Sequence, residues 1–449
     1  MRSHLKGMLC RLPISSRERQ NTLWIVFERI LRLAVNLFVW AMIARHLGPE
    51  SLGHLSYALA FASLIHVLGA FGLGDLLTRE LVKDSDRINT LIGTVFILRL
   101  LIAMPILSLL AVFLYQLPDP GAVRIVVFII SAAILFQNFN VIDSYFQSIV
   151  QSRFVVKCQL ATLILSSSLK LSLIYYDASL VWIALSYLVD AIFYAATLCI
   201  VYTQERGNLF RWSFDARTAR QLLKESLPLL IAGFAILSYM KTDQLMLNWM
   251  HSPIEVGYYG AALRLTEAWL FVPIALVTSL FPGIVQARAG SAENFQSKMQ
   301  DLYNMATLLS FSAGVVFLFA SELVTELVYG ENYSRTALIM QIHGFCGIFI
   351  LFRVISGKWL LIENLTKHSL YRSLVGVVFN VVFNYIFIPK WGAVGAAACS
   401  LATYVVVGYL YDFLLPLFRS QAVMKSKALL IPLSVKSIFC SKSAVVRDD

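Results

Sequence analysis

Apolar residues run in stretches of about twenty or more along almost the whole chain, and polar residues gather in short breaks between them. The pattern predicts about twelve membrane-crossing helices, at 22–46, 52–77, 89–116, 122–149, 155–176, 180–203, 226–250, 255–285, 303–329, 335–361, 369–388 and 392–417, with ends good to about 2–4 residues. These runs are too long for buried strands and lack the alternation of an outer-membrane barrel, so the fold class is all-α polytopic membrane protein. The first two runs set the style of the rest. Trp24 to Trp40 is apolar apart from Glu28, Arg29, Arg32 and Asn36; a Gly48-Pro49 turn follows; a second run then reaches Leu77. The longer runs must tilt or project beyond the bilayer.

Composition supports the class. Of 449 residues, 58% are hydrophobic and 14% charged, with a mean hydropathy of +0.72, whereas a soluble domain is about a quarter charged. The formal charge of +11 speaks of topology more than of nucleic acid. With the N-terminus inside, Arg79, Lys83, Arg87, Arg153, the Arg/Lys residues of 204–224 and both basic ends fall on the cytosolic side, while Arg335 and Lys390 are left outside. The expected organisation is a basic cytosolic tail (1–21), a six-helix lobe (22–203), a cytosolic linker able to form an amphipathic helix (204–225), a second six-helix lobe (226–417) and a basic cytosolic tail (418–449). Ser15, Ser16, Arg17, Glu18 and Arg19 separate the first charges from the first apolar run, so the start does not read as a cleavable signal peptide. The outer connections, such as Pro118-Asp-Pro-Gly121 and His251-Ser-Pro-Ile-Glu255, are too short for an outer domain. Six cysteines show neither metal-binding spacing nor a disulfide framework.

The chain also repeats itself. Pro49-Glu-Ser-Leu-Gly53, with Ala58-Leu59 beyond it, matches Pro253-Ile-Glu-Val-Gly257, with Ala262-Leu263 beyond it. Six spans separate the copies, so both begin on one side of the membrane. The expectation is two parallel six-helix repeats about an axis along the membrane normal.

Ionisable residues inside a bilayer are costly and mark candidate sites. By depth along a helix, Arg32, Arg99, Asp190, Arg264 and Glu267 lie near mid-membrane, Lys170, Lys241 and Asp243 toward the outer face, and Asp143, Arg353 and Lys358 toward the inner face. Glu28 and Arg32 are spaced to pair on one helix face, as are Arg264 and Glu267. Each such residue has two readings: it glues helices together, or it lines a wet cavity. Cations outnumber anions in the set, and unneutralised positive charge asks for a cavity or an anionic ligand, for which the planar donors of arginine suit phosphate. In the fourth span, Gln137, Asn140, Asp143 or Ser144, and Gln147 recur at helical spacing and face either a partner helix or a wet cleft. His66 and His343 read as packed core histidines. The sequence contains no GxSxG, HExxH, P-loop or CxxC signature, so it reads as a transporter rather than an enzyme, with no cofactor and no metal site.

Several motifs resemble those of the bacterial oligosaccharide and O-antigen lipid flippases, the polysaccharide transporter family in the superfamily that also holds multidrug extruders. They are Ala44-Arg45-His46-Leu47-Gly48-Pro49-Glu50-Ser51-Leu52-Gly53, Leu222-Leu-Lys-Glu-Ser-Leu-Pro228, Thr242-Asp243-Gln244, Val256-Gly-Tyr-Tyr-Gly-Ala-Ala262, Phe281-Pro282 and Ile388-Pro389-Lys390-Trp391-Gly392. The resemblance covers residues 20–417. It implies two lobes around a central cavity of alternating access, carrying polyprenyl-pyrophosphate-linked oligosaccharide from the cytosolic to the outer leaflet of the bacterial cytoplasmic membrane. It further implies Arg32, Arg264 and Lys241 as holders of the pyrophosphate or an acidic sugar, with Arg99 a further cavity cation. Glu28, Asp243 and Glu267 would tune those cations or bind a coupling ion, H+ or Na+. The implied partners are the lipid-linked oligosaccharide, membrane lipids and other polysaccharide assembly proteins. The two extra helices that some members carry have no counterpart after Arg419.

Three rivals are weighed against this. A multidrug extruder for cations needs more acid than base inside the membrane. A membrane glycan polymerase or ligase commonly carries a large outer loop. A scaffold subunit has no use for intramembrane charge.

Overall fold

The computed structural model describes residues 16–116 and 121–431. The expected tails therefore lie outside the described residues over 1–15 and 432–449, as does most of the outer connection Pro118–Gly121. The described chain is helical, with no strand. Its helices are α1 (Ser16–Ala70), α2 (Leu73–Lys83), α3 (Ile88–Gln116), α4 (Gly121–Ala132), α5 (Ile134–Gln137), α6 (Val141–Ser148), α7 (Arg153–Tyr175), α8 (Leu180–Arg206), α9 (Ala216–Met250), α10 (Pro253–Ala268), α11 (Phe271–Gly290), α12 (Ala292–Tyr329), α13 (Ser334–His343), α14 (Cys346–Ile362), α15 (Thr366–Gly408) and α16 (Arg419–Leu429). Among the described residues, nine stretches are long and apolar enough to cross a membrane, or ten when Glu331–His343 and Cys346–Ile362, bent by 45°, make one span. The chain is an all-α multi-pass membrane protein, as its pattern predicts. Two of the long helices are broken at glycines in non-helical conformation, Gly48 (φ 72°, ψ 172°) in α1 and Gly392 (φ 54°, ψ −132°) in α15.

Two compact units emerge. The first comprises the described parts of Met1–Met42 and Ile65–Leu230; the second comprises Ile43–Leu64 and the described parts of Ile231–Asp449. The stretch 43–64, which the sequence pattern assigns to the first lobe, is thus grouped with the second unit.

In the first unit, α2, α3, α6 and α8 pack around Leu73, Leu77, Ile92, Val95, Ile142, Phe146 and Leu198. The helix ends are closed by side chains. Asp215 precedes α9, and its Oδ2 accepts from Thr218 N at 2.9 Å and Thr218 Oγ1 at 2.5 Å. Those bonds, the hydroxyl's first, hold the Asp215 carboxyl below its ordinary range.

In the second unit the family motifs turn out to be joints. Arg45 donates from Nε to Val328 O at 2.9 Å and from Nη2 to Leu327 O, satisfying carbonyls at the C-terminus of α12. Tyr333 Oη donates to Ala44 O at 2.7 Å. Glu255, in the first turn of α10, accepts from Ala393 N at 2.7 Å and from Arg335 Nη1 at 2.7 Å. It thereby caps the half of α15 that restarts after Gly392, where a Cβ would lie 2.6 Å from Glu255 Oε2. The repeated motif meets itself. A Cβ on Gly53 would stand 1.8 Å from Pro253 O, and one on Gly257 would stand 1.9 Å from Pro49 O. Only glycine permits that approach.

The beginning of the expected C-terminal tail is an ordered helix, α16. Its Lys425 is 0% exposed and donates to Gly408 O at 2.7 Å and Asp412 Oδ2 at 2.5 Å. Arg372 Nη1 donates to Ser356 Oγ at 2.7 Å and lies 3.9 Å from Asp412 Oδ1. Burial pushes the Lys425 amine down to about 8, against the opposing pull of Asp412.

Candidate functional site

The polar face of the fourth span breaks its own helix. Between α4 and α6 the chain passes through the short α5 and a 3-10 turn over Asn138–Asn140, a mid-helix interruption of the kind that often accompanies function. Phe96 of α3 packs against Phe139 in this turn, with ring centroids 4.9 Å apart. The break opens onto a cavity of about 250 Å3 inside the first unit. Its lining includes His66, Arg99, Gln137, Asn138, Asn140 and Asp143, with Asp75 and Gln147 exposed at its rim. The sequence left this polar face two destinations, a partner helix or a wet cleft; the structure turns it onto a cavity.

Arg99 is the unusual member. It lies on the buried face of α3 beside Leu91, Ile92, Val95 and Leu98, and it is 5% exposed. It forms no ion pair or hydrogen bond among the described residues, and its Nε is fully enclosed without a partner. Asn138 Nδ2 and Asn140 Oδ1 are likewise enclosed and unpartnered. The remaining groups are partly occupied. Gln137 Nε2 lies 3.1 Å from His66 Nδ1, and Gln147 Nε2 donates to Asp143 Oδ1 at 2.9 Å.

Two ion pairs hold other candidate charges of this unit. Arg32 grips Glu28 with both ends of its fork: Nε lies 2.8 Å from Oε1 and Nη2 donates to Oε2 at 3.0 Å. Glu28 is buried, whereas the Arg32 side chain is 39% exposed and its charge also reaches Asp143. Lys170 is buried against Asp190, donates to Ser166 Oγ at 2.5 Å and lies over the Tyr187 ring.

The second unit holds a different cluster. Asp243 on α9 is 1% exposed. Its Oδ1 accepts from Asn380 Nδ2 at 2.7 Å and Asn384 Nδ2 at 2.6 Å; its Oδ2 accepts from Tyr259 Oη at 2.7 Å and from Ser400 Oγ. Four donors thus converge on one carboxylate, which is what an ionised group needs when water is absent. Nearby, His343 is buried with Nδ1 2.9 Å from Thr266 Oγ1, and the charges of Glu267, Asp243 and Lys241 all reach it. Lys241 and Glu267 are half-buried, and Arg264 is exposed on α10.

The residues singled out from sequence therefore divide. Glu28, Arg32 and Arg99 belong to the first unit; Lys241, Asp243, Arg264 and Glu267 belong to the second. The structure joins Glu28 to Arg32 and collects Lys241, Asp243 and Glu267 around His343. The sequence reading missed Tyr259, Asn380, Asn384 and Ser400 as partners of Asp243. The i, i+4 spacing of Asn380 and Asn384 in an apolar run was the available signal.

Comparison with known proteins bears on this geometry. The family model described as "Polysaccharide biosynthesis protein" matches residues 19–288, and the MatE model matches residues 228–386. A probable low-salt glycan biosynthesis flippase, Agl15 of Haloferax volcanii, is 23% identical over 205 residues. That match covers 45% of this chain and 43% of Agl15, so it spans less than half of that relative. An uncharacterized membrane protein of Methanocaldococcus jannaschii is 21% identical over 457 residues, covering 92% of this chain and 87% of the relative. Among solved structures, the lipid II flippase MurJ in an inward closed conformation superposes with a TM-score of 0.71 at 14% identity, covering 96% of this chain and 94% of MurJ. An inward-facing multidrug resistance MATE family transporter of the MOP superfamily gives 0.68 at 15% identity, with coverage of 88% and 96%. The first family model takes in more than half of the chain, which therefore belongs to the polysaccharide biosynthesis protein family and has the fold of the MOP-superfamily transporters.

Proposed function

We propose that the protein is a flippase moving polyprenyl-pyrophosphate-linked oligosaccharide from the cytosolic to the outer leaflet of a bacterial cytoplasmic membrane, for O-antigen or exopolysaccharide synthesis. The observation that carries this reading is the Arg99 cavity. Within membrane-spanning helices, a guanidinium without a partner is costly unless it meets water or substrate. A charged head cannot cross hydrocarbon unaided, and a polar cleft takes the head while the lipid tail stays outside. Splitting the two long helices at Gly48 and Gly392, with the bent pair as one span, gives twelve spans. These suit two six-helix lobes, 22–203 and 226–417, that rock about the linker 204–225 with both termini cytosolic. Arg32, Arg264, Lys241 and Arg99 are the substrate-binding cations in this reading. Glu28, Asp243 and Glu267 tune them or hold a coupling H+ or Na+.

Inner-membrane vesicles carrying labelled lipid-linked oligosaccharide test it. The glycan fraction protected from an added glycan-cleaving enzyme should depend on the protein and fall in Arg99→Met and in the double variant Arg32→Ala plus Arg264→Ala, at equal expression. Equal protection without the protein sinks the proposal. The MatE match over 228–386 favours one second reading, a multidrug extruder. The carboxylate such an extruder would offer a cationic drug, Asp243, already accepts four hydrogen bonds. Export of a cationic dye by the same vesicles would revive that reading.

A further inference from the structure

We infer that the cavity of the first unit is a subsite for one uncharged sugar ring, with Arg99 donating to two neighbouring hydroxyls of that ring. The inference rests on the flippase reading and deepens it by naming which part of the substrate this cavity takes.

The argument is one of donors and acceptors. The unmet groups at the cavity are of both kinds. Arg99 offers only donors and makes no bond, and Asn138 Nδ2 is an enclosed donor. Asn140 Oδ1 is an enclosed acceptor, and Asp143 accepts from Gln147 through only one of its oxygens. An ammonium or metal cation would satisfy the acceptors and meet Arg99 as a like charge. Pyrophosphate, which only accepts, would satisfy Arg99, leave Asn140 unmet and face the carboxylates of Asp75 and Asp143. An apolar group would strand all of them, at about 1–3 kcal/mol for each buried polar atom.

Hydroxyl groups, unlike the cation, the pyrophosphate and the apolar group, both donate and accept. A vicinal diol sets two oxygens side by side, which matches the fork of a guanidinium. Its protons then point away from Arg99, toward acceptors such as Asn140 Oδ1 and the second oxygen of Asp143. Size agrees: about 250 Å3 corresponds to roughly eight waters, the scale of a pyranose ring with its hydroxyls. The same inventory explains why Arg99 stands apart from every carboxylate. An ion pair would occupy the donors that the ring requires. The anionic pyrophosphate is then left to other cations, and this cavity reads the glycan.

The test uses purified full-length protein in detergent and ligand-detected saturation-transfer NMR. The probes are the methyl glycosides of glucose, galactose, mannose and N-acetylglucosamine, with sodium pyrophosphate as the anionic contrast. Two variants act on the cavity differently. Arg99→Lys keeps the charge and removes the fork. Ala70→Leu fills space at the lining and removes no polar group. At least one neutral glycoside should receive saturation from the wild-type protein, and its affinity should fall about tenfold or more in Arg99→Lys, the worth of one hydrogen bond to a charged group, and by a similar factor in Ala70→Leu, where the added side chain takes the ring's space. Should Arg99→Lys unfold at a lower temperature than wild type, Ala70→Leu decides alone. No transfer to any glycoside, undiminished transfer in Ala70→Leu, or pyrophosphate binding that Arg99→Lys abolishes would each overturn the inference. Binding of free glycosides needs no translocation. A protein that binds them without flipping loses the flippase reading, and one that flips without binding them loses only this subsite.

Discussion

Asp243 and Arg99 are both charged, both buried in membrane-spanning helices, and oppositely provided for. Asp243 receives four hydrogen bonds from three other segments of the second unit. Arg99 makes none, and Asn138 Nδ2 and Asn140 Oδ1 at the same cavity are unmet as well. The difference separates two uses of buried polarity. A carboxylate wrapped in donors is fixed in place and contributes to the shape of its unit. A guanidinium that faces a polar cavity and makes no ion pair or hydrogen bond ties no second segment to its own.

That contrast is breakable by mutation. The largest effect is expected for Asp243→Ala, which removes the acceptor shared by four buried donors and should cost about 3–5 kcal/mol of stability. Thermal unfolding of the purified protein measures it, and an unchanged midpoint would show that the cluster holds nothing together. Asn380→Ala should cost less, about 1–3 kcal/mol, because one of Asp243's donors is lost and the other three remain. Arg99→Met should go the other way. With no partner to strand, stability should hold or rise by about 1–4 kcal/mol, while glycan translocation falls. A loss as large as that of Asp243→Ala would mean that the fold does depend on Arg99.

Two smaller effects carry the comparison outside the spans. Lys425 titrates at about 8 in the folded chain, below the ordinary value of 10.5. Between those values the unfolded chain binds the extra proton, so this group's contribution to stability rises as pH climbs from about 8 toward 10.5. The unfolding midpoint of wild type, relative to that of Lys425→Met, should rise as pH climbs through that window; parallel curves or a relative fall would refute it. The smallest effect concerns Asp215, whose carboxyl is held below its ordinary value of 3.8 by Thr218. Its contribution is complete above 3.8 and is lost as pH falls through the lower folded value. Hydrogen exchange in the first turn of α9 should quicken under acid, beyond its intrinsic pH dependence, in wild type and not further in Asp215→Ala.

The sequence made the class and the polar face of the fourth span readable, because both are periodic along one segment. Arg99 was likewise visible as a charge in an apolar run. What the sequence hid were meetings between segments. Asp243 finds Asn380, Asn384 and Ser400 between 137 and 157 residues away; the spacing of the two asparagines marks a polar face in an apolar run but not the carboxylate it meets. Lys425 was hidden for the opposite reason. In a basic tail it looks solvated, yet α16 buries it against Asp412. The basic residue of the first motif was visible, and its task of closing the end of α12 was not.

The reciprocal approach of Gly53 to Pro253 and of Gly257 to Pro49 has the logic of an isologous dimer interface, in which one patch meets its own copy. Here the copies share a chain, so the contact is intramolecular and dilution cannot open it. Because both halves of the contact share one separation, they are thermodynamically coupled. Adding a methyl at Gly53 already forces the segments apart and makes room for one at Gly257, so the double alanine variant should lose less stability than the two single losses combined.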